Sequence, residues 1–334
     1  MTETSQNGRP LLAVDDLVVR YRLARGLSGT ILRRPVQHVH AVSGVSLAVA
    51  RGEMVALVGE SGCGKTTTAQ AILRLVDAES GSVSFDGMDV TKLPQSDLRA
   101  LRRRMQIIYQ DPYESLDPRF RVSATVAEPL VIHSIGSRAE RRDKVANALE
   151  QVGLAPAELF ADRFPHELSG GQRQRVAIAA SLVLGPDLLV ADEPVSMLDV
   201  SVRAGILAIL DELRNQGLAV LMITHDLSTA ARFADRICVM YLGRIVEEGP
   251  ARQVIDSPRH PYTKALLSVV PRRDPRHRSE VQVLRGETPN PIEIPSGCRF
   301  HPRCPIAIDA CTTTDPALEA GAGDSRHRAA CIRA

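Results

Sequence analysis

EMVALVGESGCGKT, Glu53 to Thr66, is the stretch on which the fold turns. Glu53 to Gly59 is a short, nearly continuous apolar run, the pattern of a strand buried on both faces. It opens into GESGCGKT, Gly59 to Thr66, spaced as G-x-x-x-x-G-K-[ST]. Glycines let a backbone fold into a nest of N–H groups, and the start of a following helix adds its positive end. Such a nest suits a chain of phosphates. Lys65 can reach the outer phosphates, and the Thr66 hydroxyl can ligate Mg²⁺. The spacing predicts a helix from Lys65 to about Val76. Cys63, inside the loop, reads as a small tolerated residue rather than a reactive thiol.

Working outward, Leu11 to Tyr21 and His40 to Ala50 mix alternation with β-branched residues and read as strands. The basic, Gly- and Pro-bearing stretch between them reads as a loop. From about Val122 to Leu184 the period becomes helical. There Ser137 and Glu140 form a capping-box pattern, with Val145, Leu149 and Val152 on one face. Strands and helices then alternate: DLLVAD, VRAGILAILDELRNQ, LAVLMIT, RICVMYL. That order predicts an α/β fold with a parallel sheet built from crossovers. Beyond about Val270 the chain turns basic and proline-bearing, and a domain boundary is placed near Pro271. Residues 1–270 would form one domain, with a helical subdomain at about 122–184, and residues 271–334 an extension.

Composition excludes some functions. Aromatics are 3% with no Trp, a poor basis for base-stacking platforms. The 41 basic and 39 acidic residues leave a net charge of +2, without the footprint of wholesale nucleic-acid binding. No apolar run approaches the roughly 18 residues of a membrane-spanning helix. The polar opening MTETSQNGRP lacks the apolar middle of a secretion signal, so a cytosolic protein is expected. Six cysteines in a reducing compartment favour thiols or metal ligands over disulfides.

A second chemical motif is DLLVADE, Asp187 to Glu193. An apolar strand ending in Asp places Asp192 at the carboxyl edge of a sheet, as a partner for Mg²⁺. Glu193, next along, could polarise an attacking water as a general base. LSGGQRQR, Leu168 to Arg175, resembles the signature of ABC ATPases, and other elements follow in family order. Gln110 in IIYQDPYESLDP resembles the Q-loop, and SMLD, Ser196 to Asp199, resembles the D-loop. His225 in MITHD resembles the switch histidine, and Tyr21 occupies the place of the adenine-stacking aromatic.

The resemblance implies a P-loop NTPase ABC cassette: a parallel-sheet core with an antiparallel β subdomain and a helical subdomain. It implies ATP held by Tyr21, Gly59, Ser61, Gly62, Gly64, Lys65, Thr66 and Thr67. Thr66, Gln110 and Asp192 would surround Mg²⁺, and Glu193, His225 and Gln110 would serve hydrolysis. Two such subunits would sandwich two ATPs head to tail. Ser169, Gly170, Gly171, Gln172 and Asp199 would then face the partner's nucleotide.

The tail narrows the family. Cys298, Cys304, Cys311 and Cys331 are spaced C-x5-C-x6-C-x19-C. Together with HPYTKALLSVVP, His260 to Pro271, they resemble the C-terminal extension of oligopeptide/dipeptide importer ATPases. In that family four such cysteines can hold an iron–sulfur cluster, and four thiolates suit [4Fe–4S]. The spacing itself fits neither a ferredoxin run nor a zinc ribbon, so zinc and plain thiols stay open. Cys238 reads as a small buried hydrophobe. QDPYESLDPR and ADEPVSMLDVSV resemble the F-type ATPase subunit. The implied partners are a D-type ATPase, two permease subunits at the cytoplasmic face of the membrane and, indirectly, an extracytoplasmic binding protein. Gln110 to Arg121 would couple to the permeases. The basic linker Arg272 to Arg278 reads as solvated, with anionic lipid headgroups as the alternative. The same family imports nickel chelates and oligosaccharides, and related cassettes act on ribosomes or DNA. The stretch between Lys65 and Ser169, however, holds no sustained heptads.

Overall fold

A computed structural model describes residues 9–23, 36–111, 116–269, 284, 286–321 and 324–334. The linker at 272–278, the boundary near Pro271, and most of the loop after Tyr21 lie outside them. In chain order the elements are β1 (Leu12–Arg22), β2 (His38–Val49), β3 (Met54–Val58), α1 (Lys65–Ile72), β4 (Ser80–Phe85), β5 (Met88–Asp89) and α2 (Gln95–Arg102). Then come β6 (Met105–Ile108), α3 (Val122–Ile132), α4 (Arg138–Gln151), α5 (Glu158–Ala161), α6 (Gly170–Leu182), β7 (Leu188–Asp192) and α7 (Val200–Asn215). The last are β8 (Ala219–Thr224), α8 (Leu227–Phe233), β9 (Arg236–Tyr241), β10 (Arg244–Pro250), α9 (Ala251–Asp256), α10 (Pro261–Ser268), β11 (Glu319–Gly321) and β12 (Asp324–Ala329). No helix among the described residues is long and apolar enough to cross a membrane.

The chain forms two compact units. One joins Met1–Ala48, Val55–Lys92 and Thr224–Ala334; the other joins Val49–Met54 and Leu93–Ile223.

In the first unit, β2-β1-β4-β5 is one row of strands, antiparallel where β1 meets β4 and β4 meets β5. Leu12 lies opposite Phe85 and Val14 opposite Val83, all four buried. A second row runs β11-β12-β10-β9-β3. Here β3 and β9 are parallel, with Leu57 opposite Cys238, both wholly buried. The remaining pairs of this row are antiparallel, β9–β10 and β11–β12 as hairpins and β10–β12 across a long separation. The C-terminal residues therefore belong to the same unit as β1 and β3. They dock by satisfying buried carboxylates, which would otherwise be expensive. Glu247 accepts from the Arg259 and His260 backbone N–H groups at 2.7 and 2.9 Å, and His327 Nε2 lies 2.7 Å from it. Glu248 accepts from Arg328 Nε at 2.8 Å, and the Cys238 sulfur contacts its second oxygen.

The helix after the phosphate loop stops at Ile72, short of the expected Val76. Arg74 takes a left-handed φ of 50°, and Leu75 donates back to the Gln70 carbonyl at 2.8 Å, which closes the helix end.

In the second unit β6, β7 and β8 are parallel neighbours, Met105 opposite Leu188 and Leu188 opposite Ala219. Every residue of β7 and β8 is buried, as the apolar runs predict. The helical stretch is α3 to α6. Ser137 and Glu140 form the expected capping box, with Ser137 N–H donating to the Glu140 carboxylate at 2.6 Å. Val145, Leu149 and Val152 are buried on one face. Asp187, entering β7, is held between Arg51 at 2.8 Å and Arg104 at 2.6 Å. Burial works against its charge, but the two guanidiniums outweigh burial and hold its carboxyl below the usual carboxylate range.

A folded-state acidity stronger than the unfolded one adds stability above the unfolded value and loses it as pH falls through the folded one. Asp187→Ala should therefore cost about 1 kcal/mol at neutral pH, discounted for its partial exposure. The difference from wild type should shrink below about pH 4. Denaturant unfolding at pH 7 and pH 3 measures it, and an undiminished difference at pH 3 would rule out the charge account.

Candidate functional site

The buried strand β3 delivers the chain to Gly59, and α1 begins at Lys65. Between them the turn is too tight for side chains at two points. A Cβ on Gly59 would lie 2.2 Å from the Met240 carbonyl oxygen. Gly64 has φ +107°, and its Cβ would lie 2.1 Å from the Ala41 carbonyl oxygen. Lys65 is only 6% exposed, and a buried ammonium requires partners. It finds them in the loop, donating to the Gly59 and Glu60 carbonyls at 2.8 and 2.9 Å. Thr68 Oγ1 donates to the Gly64 carbonyl at 2.9 Å, and Gly243 N–H donates to the Cys63 carbonyl at 2.8 Å. Cys63 is buried, which pushes its thiol up despite the neighbouring Lys65 charge. It is an anchor rather than a nucleophile. Ser61, Gly62 and Thr66 are exposed on the rim, Thr67 half-exposed, and Tyr21 exposed at the far end of β1.

In the second unit, Asp192 ends β7, buried and paired in register with Ile223. Glu193 turns sharply out of the strand with φ 46°, a left-handed conformation that a non-glycine residue adopts at a cost. Its N–H donates to the Ile223 carbonyl at 2.9 Å, and its carboxylate accepts from Gln110 Nε2 at 3.2 Å. The structure thus brings Gln110 and Glu193 together. Ser196 closes the following turn on the Glu193 carbonyl at 3.1 Å. Asp199 is exposed at the start of α7 and makes no side-chain cap.

The signature turn is built as a helix start. Ser169 Oγ accepts from Gln172 N–H at 3.3 Å, and Gln172 Oε1 accepts from Ser169 N–H at 3.0 Å. Arg173 Nε pins the turn by donating to the Pro165 and Leu168 carbonyls at 2.7 and 3.1 Å. Gly171 is required by packing, since its Cβ would lie 2.3 Å from Val202 Cγ1. Gly170 and Gly171 contribute first-turn N–H groups that a helix cannot bond internally. In the first unit His225 is exposed just past β8. Asp226 beside it caps α8 through Ser228 and Thr229.

Sequence reasoning missed what surrounds Glu60. Its N–H donates to Tyr262 Oη at 2.9 Å, and its carboxylate accepts from Thr288 at 2.7 Å and Arg303 at 2.9 Å. The available signal was HPYTKALLSVVP, which marks a family without disclosing what its tyrosine touches. His260 of that motif accepts from Tyr262 N–H through Nδ1 at 3.1 Å, and burial lowers its pKa to about 3, so it is a neutral cap.

All four tail cysteines line one pocket with His260, Phe300 and His301. Burial pushes the Cys298 and Cys304 thiols up, and the neighbouring Cys311 and Cys331 add to the effect. Among the described residues, no group of three or more His, Cys, Asp or Glu is placed to hold a metal ion.

Known proteins share this architecture. A profile of the ABC transporter family matches residues 42–196, and one of the oligopeptide/dipeptide transporter C-terminal region matches 246–311. A putative peptide import ATP-binding protein of Brucella ovis is 48% identical, covering 100% of this chain and 99% of its own. The dipeptide transport ATP-binding protein DppF of Haemophilus influenzae is 46% identical over 96% of each chain. The oligopeptide transport ATP-binding protein OppF of Salmonella typhimurium is 43% identical, covering 100% and 99%. Among solved structures, the dimeric ATP-binding cassette MJ0796 bound to ADP and Pi superimposes with a TM-score of 0.63 at 29% identity. It covers 72% of this chain and 99% of that one.

The two loop glycines should respond differently to alanine. Gly62 has φ +77° but open space around it, so Gly62→Ala should cost only the backbone strain, about 1–2 kcal/mol. Gly64→Ala adds a collision with a backbone carbonyl and should cost roughly 3 kcal/mol or more. Urea unfolding of both variants checks the order, and equal losses would contradict the close approach at Ala41.

Proposed function

The chain belongs to the ABC transporter family of ATP-binding proteins, and on that premise we propose that it is the motor of a peptide importer. One observation carries the reading. The ATPase cassette and the oligopeptide/dipeptide C-terminal region occupy a single chain, and relatives named for peptide import match it from end to end. As a family member it is an ATPase, peripheral to the membrane, working with permease subunits.

In the proposed chemistry, Lys65 exchanges its loop carbonyls for the β- and γ-phosphates of ATP, and Tyr21 stacks on adenine. By family resemblance Thr66, an exposed hydroxyl, and Asp192, a buried carboxylate, would serve as Mg²⁺ ligands, being hard oxygen donors of the kind Mg²⁺ prefers. Magnesium would offset the charge on the phosphate oxygens. Glu193, oriented by Gln110, takes a proton from the attacking water, and His225 hydrogen-bonds the γ-phosphate. Because the Ser169 oxygen already accepts from Gln172, the signature turn presents the N–H groups of Gly170 and Gly171 to a partner's γ-phosphate. Pairing of two cassettes, head to tail as the resemblance implies, accords with the dimeric state of the cassette of similar fold. The F-type motifs and the names DppF and OppF favour a D-type ATPase as the partner.

The four-cysteine pocket is proposed to hold a [4Fe–4S] cluster. The four cysteines line one pocket, and four thiolates are the ligand set that such a cluster takes. A metal would also relieve what burial and mutual repulsion impose on the thiols, by taking them as thiolates.

Three measurements test these readings. Glu193→Gln should keep ATP binding while hydrolysis in the assembled complex falls by about 10²–10⁴; an unchanged steady-state rate sinks the general-base role. The same variant, pulled from solubilised membranes with ATP and Mg²⁺, should bring two permeases, a second ATPase and a peptide-binding protein. Ribosomes or nucleic acid instead would overturn the transport reading. Anaerobically purified protein should contain iron and sulfide, and zinc without iron rejects the cluster.

A further inference from the structure

Glu60 is the second residue of the phosphate loop, and each of its polar groups is committed. Its carbonyl carries the Lys65 ammonium, so it is part of the cradle itself. The partners of its N–H and carboxylate come from the C-terminal part of the chain. Tyr262 Oη accepts its N–H at 2.9 Å. Arg303 forks onto both carboxylate oxygens at 2.9 and 3.3 Å, and Thr288 donates at 2.7 Å. Arg303 also donates to Thr288 Oγ1 at 3.3 Å, tying the donors together.

Two members of the grip are held rigid by burial, while Thr288 is exposed. Tyr262 is wholly buried and Arg303 is 9% exposed. The Arg303 guanidinium lies 5.9 Å from the Tyr241 ring, and Tyr241, Tyr262 and Phe300 form one aromatic cluster at 4.7–5.5 Å. A fork of charge-assisted hydrogen bonds fixes direction as well as distance. A loop held in its binding shape does not spend binding energy on ordering itself.

We propose that Arg303, Thr288 and Tyr262 are positioning residues of the nucleotide site, which hold the phosphate loop through Glu60 so that the C-terminal region sets the affinity for ATP. This rests on Gly59–Thr66 being the phosphate loop. None of the three touches ATP. Their effect appears as weaker nucleotide binding, with the chemical step after binding unaltered.

The test uses the full chain for ATP binding by calorimetry and the assembled complex for KM and kcat. Arg303→Ala should raise the Kd and KM for ATP about tenfold or more, with kcat within roughly twofold. Arg303→Lys should recover part of the loss, since it keeps the charge but not the fork. Tyr262→Phe removes a single acceptor from Glu60 N–H and should weaken binding in the same direction. It serves as the second variant should Arg303→Ala fail to fold. Arg328→Ala is the control, because Arg328 docks the same region on Glu248 without reaching the loop. Losses that are non-additive between Arg303→Ala and Glu60→Gln support the grip. Wild-type affinity in both Arg303→Ala and Tyr262→Phe, or a loss matched by Arg328→Ala, overturns it. Lys65→Ala separates the premise: if that variant binds ATP normally, the phosphate-loop reading itself has failed.

Discussion

A buried ammonium organises this molecule. Lys65 cannot leave solvent without acceptors, and the acceptors within reach are the Gly59 and Glu60 carbonyls. The turn that supplies them lies so close to neighbouring strands that Gly59 and Gly64 admit no side chain. It also requires rigid surroundings. The buried strands β3 and β9 supply one wall, through the Met240 carbonyl, and β2 supplies another, through Ala41. On the proposed function, the loop would exchange its own carbonyls for phosphate oxygens at little cost in rearrangement.

The second unit solves a comparable problem with a carboxylate. A fully buried strand runs to Asp192, and the left-handed turn at Glu193 swings the next side chain out to meet Gln110. Strain placed there is tolerated because the Glu193 backbone is bonded on both sides, to Ile223 and to Ser196. In each unit a continuous apolar strand serves mainly to place one polar residue where its chain ends.

Much of this was legible in the sequence because it is local. The apolar runs of β3, β7 and β8, the Ser137–Glu140 box and the glycine spacing each fall within a few residues. The end of α1 was not legible, because the left-handed turn at Arg74 carries no glycine to announce it. β11 and β12 were missed for another reason. Glu319–Gly321 and Asp324–Ala329 are short and polar, and they become strands by pairing with one another and with β10 rather than by pattern. The charges of Arg303 and Arg328 resemble solvated surface until their distant carboxylates are known. Motif likeness supplied the tail's family, while the geometry supplied the neutral His260 cap and the Tyr262 contact.

The Glu60–Arg303 pair has a bearing on synthesis. The two residues are 243 positions apart, so the loop is translated early and its support late. A chain still growing holds every residue expected to touch phosphate before it holds Thr288 or Arg303. Closure of so long a separation also places this contact among the slower steps of folding. On the proposal above, truncated or incomplete chains would carry an unsupported cradle, and full affinity for nucleotide would arrive only once Thr288 and Arg303 are in place.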